Sequence, residues 1–374
     1  MAKKALLTIN GTHRNVKTGY ITVGGVYRKI KSAYITVGGV YRPCWPSGAS
    51  LQYYGTATAL TTARTELAAT TVGTFALFAG GNGLSSAVDA YNPSLQRTTP
   101  STALSYARYG HAAATVGNYA LFAGGRQVSA YSTVDCYSSG LTHSKPSTAL
   151  KVARYDLAAA TVGGYAIFAG GTDGSGAVNA VQAYNASLTV STPDALVTAR
   201  YNLAAATVGN YALFAGGFTG SGYSNEVIAY NTSLTRSTVT ALGDARENLA
   251  GATAGNYAIF GGGYYYSSSG TSTNATDAYN ASLTRSAPAR LSMTSTELAA
   301  TSLQGFAIFA GGLNAGLYRG EATVYDSSLS RSTPTNLSVN RSGLAAAAVG
   351  NFALFAGGTV STSTRSAVVD VYTT

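Results

Sequence analysis

The chain has 374 residues, of which only 10% are charged, yet its formal net charge is +10. Two cysteines, Cys44 and Cys136, are too few for a disulfide-rich scaffold, and we expect both to be free thiols. No uncharged apolar run is long enough to predict a membrane span, and the N-terminus lacks the apolar core and cleavage site of a secretory signal.

The basic charge is concentrated in residues 1–48, which hold eight lysines and arginines and no acidic residue. Residues 17–28 recur almost unchanged as residues 31–42, and residues 8–14 are a fainter copy. Short β-prone runs separated by two-residue gaps predict a meander of about six strands. So thin a sheet buries too little surface to be stable alone, so we expect this module to dock onto a partner. Residues 43–48 are the predicted linker.

The repeated run Tyr-Ile-Thr-Val-Gly-Gly-Val-Tyr-Arg, at residues 20–28 and 34–42, resembles the N-terminal segments of virion-associated proteins of tailed phages, especially tail and fibre components. The resemblance implies that residues 1–48 anchor the protein to other tail or capsid proteins. Clustered basic residues could instead neutralise nucleic-acid phosphates, but basic side chains facing a protein partner are the simpler account. The candidate anchoring residues are Tyr20, Tyr27, Arg28, Lys31, Tyr34, Tyr41 and Arg42.

From residue 51 to residue 374 one pattern recurs seven times, and each copy ends in a glycine pair. Successive pairs are 44, 46, 46, 46, 49 and 46 residues apart. A fixed period in this range predicts a repeat fold, here most simply a seven-bladed β-propeller of four-stranded blades. The glycine pairs are Gly80-Gly81, Gly124-Gly125, Gly170-Gly171, Gly216-Gly217, Gly262-Gly263, Gly311-Gly312 and Gly357-Gly358.

One copy illustrates the predicted blade. A small-residue run suits the crowded innermost strand, and Gly209-Asn210 suits a tight hairpin. The predicted strands are 203–208, 211–215, 226–230 and 235–239, with an Asx-type turn at 231–234. The seventh copy stops after its third strand, so we expect residues 51–60 to supply the fourth strand and to close the ring.

The order of arginine, Leu or His, hairpin, glycine pair and tyrosine resembles the kelch repeat. The second copy is the closest, with Arg108, His111, Gly124, Gly125 and Tyr137. The resemblance covers roughly residues 51–374 and implies an all-β kelch-like propeller. The chain departs from the family because the fourth-strand tryptophan is missing: the only tryptophan is Trp45, outside the repeats.

An arginine begins six of the seven copies, and Ser295 replaces it in the sixth. These arginines could form a ring that binds an anion or an acidic peptide at the mouth of the channel, or each could brace its own blade. Their recurrence favours bracing, because a binding site usually breaks a repeat. We expect the recurring aspartates to be structural partners of these arginines or of backbone amides. The arginines are Arg64, Arg108, Arg154, Arg200, Arg246 and Arg341, and the aspartates are Asp89, Asp135, Asp277 and Asp370.

The segments after the glycine pairs differ from copy to copy in length and sequence. Strand alternation places all of them on the face where the arginines lie. Their Tyr, Ser, Gly and Asn content is typical of binding loops, and aromatic faces also suit sugar rings; ordinary loop variation without a ligand is the alternative. The candidate ligand-binding residues are Arg126, Tyr131, Phe218, Tyr223, Tyr264, Tyr265, Tyr266, Tyr318 and Arg319.

No converging set of titratable groups, zinc-ligand spacing or phosphate-binding loop occurs in the sequence, so we expect no enzymatic activity, metal or cofactor. Taken together, the sequence predicts a phage virion protein, made in the host cytoplasm and associated with the tail or a fibre. It would display a propeller that binds a host-surface glycan or protein, or decorates the particle, without membrane insertion; it could also form homo-oligomers. The alternative is a bacterial kelch-like adhesion or scaffold propeller.

Overall fold

The computed structural model describes six strands between residues 5 and 43, together with residues 50–265 and 271–374. The chain divides into two compact units, Met1–Ser50 and Leu51–Thr374. The described residues contain no helix that is long and apolar enough to cross a membrane.

The first unit contains the expected six strands, but they pair as three separate two-stranded hairpins. Among the described strands, no pairing joins one hairpin to the next, so the predicted continuous meander is wrong. Within each hairpin two residues separate the strands, whereas three or four separate the hairpins, which is too long for the same tight link. The hairpins are β1 (Ala5–Ile9) with β2 (Thr12–Val16), β3 (Tyr20–Val23) with β4 (Val26–Lys29), and β5 (Tyr34–Val37) with β6 (Val40–Pro43).

The second unit is a seven-bladed β-propeller, so the predicted fold class is confirmed. Each blade is a four-stranded antiparallel sheet whose first strand lies innermost. The strands of blades 1 to 3 are β8 (Ala68–Val72), β9 (Phe75–Ala79), β10 (Val88–Tyr91) and β11 (Arg97–Thr98); β12 (Ala112–Val116), β13 (Tyr119–Ala123), β14 (Val134–Ser138) and β15 (His143–Ser144); and β16 (Ala158–Val162), β17 (Tyr165–Ala169), β18 (Val181–Asn185) and β19 (Val190–Ser191).

Blades 4 to 6 follow the same order, and blade 5 carries an extra two-stranded hairpin in the loop between its second and third strands. Their strands are β20 (Ala204–Val208), β21 (Tyr211–Ala215), β22 (Val227–Asn231) and β23 (Arg236–Val239); β24 (Ala250–Ala254), β25 (Tyr257–Gly261), β26 (Tyr264–Tyr265), β27 (Thr271–Ser272), β28 (Thr276–Asn280) and β29 (Arg285–Ser286); and β30 (Ala299–Leu303), β31 (Phe306–Asn314), β32 (Leu317–Tyr325) and β33 (Arg331–Ser332).

Blade 7 joins the two ends of the propeller unit. Its strands are β34 (Ala345–Val349), β35 (Phe352–Ala356), β36 (Val369–Thr373) and β7 (Gln52–Ala57), the last of which comes from the start of the unit. The pairing of β36 with β7 leaves no blade with a missing fourth strand. Closure in this way protects sheet edges that would otherwise be free to pair with other chains.

The hydrophobic core lies between neighbouring blades. Phe214 and Tyr230 of blade 4, for example, pack against Ala160 and Val162 on the inner strand of blade 3. Small alanines on the inner strands leave room for the large rings of the next blade, and burial of each ring contributes about 1.5–3 kcal/mol. Each blade tyrosine also donates a hydrogen bond to a backbone carbonyl, as Tyr230 does to Asp194 at 2.7 Å.

The glycine pairs occur where blades meet most closely. A Cβ at Gly216 would lie 2.6 Å from the carbonyl oxygen of Arg246 in the next blade, and the φ of Gly216 is 68°. Both the contact and the left-handed backbone require glycine. The sequence-based expectation that a neighbouring backbone packs against the pair is therefore confirmed.

Candidate functional site

The seven variable loops lie on one face of the propeller, which we call the loop face. In every blade the residue after a glycine pair forms a β-bridge with the residue just after the first-strand arginine, or after Ser295 in blade 6. The loops therefore surround the part of this face where the chain enters the innermost strand of each blade. The bridges are Thr65↔Asn82, Tyr109↔Arg126, Tyr155↔Thr172, Tyr201↔Phe218, Glu247↔Tyr264, Thr296↔Leu313 and Ser342↔Thr359.

At the centre of this face, seven equivalent residues form a closed ring of backbone hydrogen bonds, which we call the axial ring. Each backbone N–H donates to the carbonyl of its counterpart in the preceding blade at 2.7–3.3 Å, and the N–H of Glu66 closes the circle on Gly343. All seven residues have φ between 52° and 64°, a conformation that favours glycine, asparagine and aspartate. The ring consists of Glu66, Gly110, Asp156, Asn202, Asn248, Glu297 and Gly343.

The axial ring and the residue that follows each of its members line a cavity on the axis, which we call the axial cup. It encloses about 340 Å³. This volume lies within the range of roughly 300–1,000 Å³ that is typical of small-molecule sites. Six of the residues after the ring members are leucines, and His111 stands in the seventh position.

The cup is acidic, because Glu66, Asp156 and Glu297 project from the ring and Glu247 lies beside it. Desolvation by the surrounding protein, reinforced by Glu66 and Glu247, raises the pKa of Asp156 to about 7. Desolvation also raises the pKa of Glu66 and of Glu247, and in both the negative charge of Glu297 adds to the shift.

Each of three cup carboxylates also accepts a hydrogen bond from a neighbouring side chain. Asn202 donates to Glu247 at 2.8 Å, Ser342 to Glu297 at 3.0 Å, and Asn82 to Glu66 at 3.3 Å. These bonds hold the carboxylates in place around the rim of the cup. Among the described residues, no group of three or more His, Cys, Asp or Glu side chains has the geometry to hold a metal ion.

His111 is 6% exposed, and burial lowers the pKa of its imidazole to about 3, so the ring is neutral. Neither ring nitrogen has a hydrogen-bond partner. The Ala79 backbone is close enough to affect the pKa of the ring but does not meet the geometry of a hydrogen bond. The imidazole contacts Phe122 at a centroid distance of 6.1 Å.

The first-strand arginines do not form an anion-binding ring, because all six are fully buried. Each donates to the backbone carbonyl of a phenylalanine in its own blade, as Arg64 does to Phe78 at 3.1 Å. Four of them pair with the expected aspartates at 2.6–2.7 Å: Arg64 with Asp89, Arg108 with Asp135, Arg246 with Asp277 and Arg341 with Asp370. The bracing interpretation is therefore correct.

Three of the predicted ligand-binding residues come together across blades 4 and 5. Phe218 contacts Tyr201 at a centroid distance of 5.7 Å and Tyr223 at 5.2 Å, and Tyr223 contacts Tyr264 at 5.9 Å. We call these four half-buried rings the aromatic row. Its inner end, Tyr201, is adjacent in sequence to Asn202 of the axial ring, and its pKa is raised by desolvation and by the charges of Glu247 and Asp156.

Two other predicted residues lie over blades 2 and 3. The guanidinium of Arg126 stacks 4.5 Å from the ring centroid of Tyr155 and donates to the Tyr155 hydroxyl at 2.9 Å. Tyr131 stacks in parallel on Tyr106, with centroids 5.1 Å apart. These pairs are separate from the aromatic row.

The remaining predicted residues belong to blades 5 and 6. Tyr265 pairs with Thr271 in the extra hairpin, and Tyr318 pairs with Leu313 near the tip of the long β31–β32 hairpin. Tyr266 lies outside the described residues. Arg319 is half-buried, and it lines a small cavity beside Ser295, where blade 6 lacks the arginine of the other blades.

The candidate anchoring residues belong to the first unit. Tyr20 lies in β3, Tyr27 and Arg28 in β4, Tyr34 in β5, and Tyr41 and Arg42 in β6. Lys31 lies outside the described residues.

Sequence reasoning missed the acidic cup. The position two residues after each first-strand arginine is variable, with Glu66, Gly110, Asp156, Asn202 and Asn248 in the first five blades. Variation at one position of an otherwise strict repeat was the signal that could have revealed the acidic cup. Its members are about 45 residues apart in sequence, however, and only ring closure brings them together.

No protein-family model and no curated protein matches the sequence. Among solved structures, the fold is similar to that of YjhT, with a TM-score of 0.61 and 10% sequence identity. The alignment covers 75% of this chain and 99% of that chain. A likeness at this level of identity shows the propeller fold alone.

Proposed function

We propose that this chain is a non-enzymatic virion protein of a tailed phage, associated with the tail or a fibre, whose loop face binds a glycan or protein of the host surface. The observation that carries the binding role is the aromatic row, where Tyr201, Phe218, Tyr223 and Tyr264 make one continuous half-buried aromatic surface. Aromatic rings with adaptable polar neighbours are typical of recognition surfaces.

The virion role is supported by the sequence of the first unit, whose basic repeats resemble the N-terminal segments of phage tail and fibre proteins. On this proposal Tyr27, Arg28, Lys31, Tyr41 and Arg42 contact other virion proteins. The kelch-like character of the propeller is likewise proposed, and the recurring order of arginine, glycine pair and tyrosine supports it.

Two observations support a binding role without catalysis. Burial raises the pKa of the Cys136 thiol to about 12, so this residue is a poor nucleophile. The recurring aspartates, which could have served as acids or bases, are buried against the bracing arginines. The polar groups that face the solvent at the cup are carboxylates and amides, which suit hydrogen bonding to a ligand.

The loop face is tested by binding of the full-length protein to bacterial cells. We expect the triple variant Phe218→Ala, Tyr223→Ala, Tyr264→Ala to lose at least tenfold in affinity. The matched control removes three tyrosines at the opposite ends of second strands, Tyr119→Ala, Tyr165→Ala and Tyr211→Ala, and should retain binding. Equal loss in both variants would refute the assignment of binding to the loop face.

The anchor is tested separately, by co-sedimentation of the full-length protein with phage particles. Replacing Arg28, Lys31 and Arg42 with glutamine should reduce particle association without reducing cell binding. Cell binding without any particle association would favour the alternative, a bacterial adhesion propeller. Particle association without cell binding would leave decoration of the particle as the function.

A further inference from the structure

The axial cup differs in charge from the rest of the propeller. Residues 51–374 hold 16 basic and 14 acidic residues, so this unit is close to neutral. Four of the acidic residues, Glu66, Asp156, Glu247 and Glu297, surround the cup. The charges of Glu66 and Glu247 raise the pKa of Asp156, and the charge of Glu297 raises the pKa of Glu66 and of Glu247. Like charges held together in a partly desolvated site favour a ligand that brings positive charge.

The nearby cations do not neutralise the cup by direct contact. Arg126 is held over Tyr155, and Arg365 donates to Asn82 at 3.2 Å. The structure records no ion pair between a cup carboxylate and a basic side chain among the described residues.

The carboxylates are distributed around the ring and do not converge on one point, and among the described residues they form no metal-binding group. A single compact metal ion would therefore contact too few of them. A larger ligand with several N–H and O–H donors fits better, because the cup also presents the side-chain amides of Asn202 and Asn248, which both donate and accept.

The aromatic row extends from the edge of the cup. Tyr201 neighbours Asn202 of the axial ring in sequence, and Phe218, Tyr223 and Tyr264 continue the row outward across two blades. A ligand whose charged group lies in the cup can therefore place a ring-shaped, partly apolar body against these side chains. Sugars combine hydroxyl edges with apolar C–H faces, and a protonated amine also gains from nearby aromatic rings.

We infer that the axial cup binds a cationic sugar, namely a hexosamine unit whose amine is free and protonated. Its ammonium group lies in the acidic cup, its hydroxyls meet the asparagine amides, and its flanking units lie along the aromatic row. This inference rests on the proposed binding role of the loop face and names the class of glycan. It excludes sugars that carry carboxylates or phosphates, since the cup would repel them.

The test is calorimetric titration of the full-length protein with two matched probes, a trimer of β-1,4-linked glucosamine and the same trimer fully N-acetylated. These differ in charge at the amine and in the acetyl group. We expect the free-amine trimer to bind at least tenfold more tightly and to weaken as salt is added. Equal affinity of the two trimers, or no binding of either, would overturn the inference.

Two single-residue variants test whether the trimer binds in the axial cup. Glu66→Gln and Glu297→Gln, made singly, should each weaken binding of the free-amine trimer about tenfold. The control is Asp326→Asn, which removes one negative charge from the turn after β32, at the opposite end of the blade from the cup. The control should bind as the unmodified protein does; a loss equal to that of the cup variants would contradict the assignment. Two single variants keep the test valid if one of them fails to fold.

Two further results separate this inference from the proposed function. If a lysine tripeptide binds as tightly as the free-amine trimer, the cup recognises charge alone and the sugar assignment is wrong. If the aromatic triple variant loses cell binding while Glu66→Gln and Glu297→Gln retain it, the loop face is the binding surface but the inference about the cup fails.

Discussion

Replacement of Asp156 by asparagine should stabilise the propeller at neutral and alkaline pH. In the folded protein, desolvation and the charges of Glu66 and Glu247 raise the pKa of Asp156 to about 7, from an ordinary value of 3.8. Well below the ordinary pKa of 3.8, the carboxyl is protonated in both the folded and the unfolded chain. As the pH rises toward 7, the unfolded chain ionises first, so this residue progressively lowers the free energy of unfolding.

The magnitude follows from the size of the shift. A difference of about three pKa units corresponds to about 4 kcal/mol at full ionisation. Asp156 is only partly buried and lies beside an open cup, so solvent screening reduces this value. We therefore expect Asp156→Asn to raise the free energy of unfolding by about 1–3 kcal/mol at pH 8, and by little at pH 4.

The substitution is compatible with the backbone. Asp156 has a φ of 54°, and Asn202 and Asn248 adopt 54° and 52° at equivalent positions in the axial ring. Asparagine is nearly isosteric with aspartate and tolerates this left-handed conformation. The change therefore removes the ionisable group without adding strain.

The measurement is urea-induced unfolding of the full-length protein, followed by circular dichroism at several pH values between 4 and 8. The reciprocal variant, Asn202→Asp, places a new carboxylate on the same ring and should lower stability at pH 8. Identical pH profiles for Asp156→Asn and the unmodified protein would refute the electrostatic argument. A loss of stability in Asp156→Asn at every pH would show instead that the carboxylate makes a structural contact.

Three other predictions concern the blades. Asp277→Ala should lower the free energy of unfolding by about 3–5 kcal/mol in urea titrations, because it leaves the buried charge of Arg246 without its 2.7 Å partner; the exposed control Asp173→Ala should change it by less than about 1 kcal/mol. Gly216→Ala should lower the thermal midpoint of unfolding, because a Cβ there would lie 2.6 Å from the Arg246 carbonyl. The control is Gly220→Ala, which has a φ of 92° but where a Cβ would meet no atom within 4 Å. It therefore measures the cost of backbone strain without the clash. Cys136 should resist iodoacetamide in the native protein at pH 8 and react after denaturation, as mass spectrometry would show, since burial raises the pKa of its thiol to about 12; rapid native labelling would contradict its buried position.

The propeller could be predicted because its constraints are repeated and local. A hairpin such as the one that ends β20 at Val208 and begins β21 at Tyr211 is encoded by the two residues between them. The same signal occurs in each of seven copies, so the fold does not depend on any single one. The bracing arginines could be interpreted for the same reason, since the pairing of Arg64 with Asp89 recurs in blades 2, 5 and 7.

In the first unit, it was harder to predict which strands pair with one another. The two-residue links correctly indicate β1 with β2, β3 with β4, and β5 with β6. The connections between hairpins are three or four residues long, so a tight two-residue turn does not fix the pairing across them. A period alone therefore predicts the hairpins but not whether they form one sheet.

In the candidate site, too, repeated positions could be interpreted from the sequence and non-repeated positions could not. Positions that repeat, such as the arginines, proved to be structural, because each blade must solve the same packing problem. Functional differences are expected where one blade departs from its neighbours. The axial ring brings seven such positions together: Glu66, for example, is hydrogen-bonded to Gly343, and Asp156 to Gly110. Gly110 leaves space that the Asp156 carboxylate occupies, since a Cβ there would lie 2.6 Å from its Oδ1. A position that varies from one copy of the sequence to the next is thus the one at which all seven blades meet, and its chemistry can be interpreted only after the ring has closed.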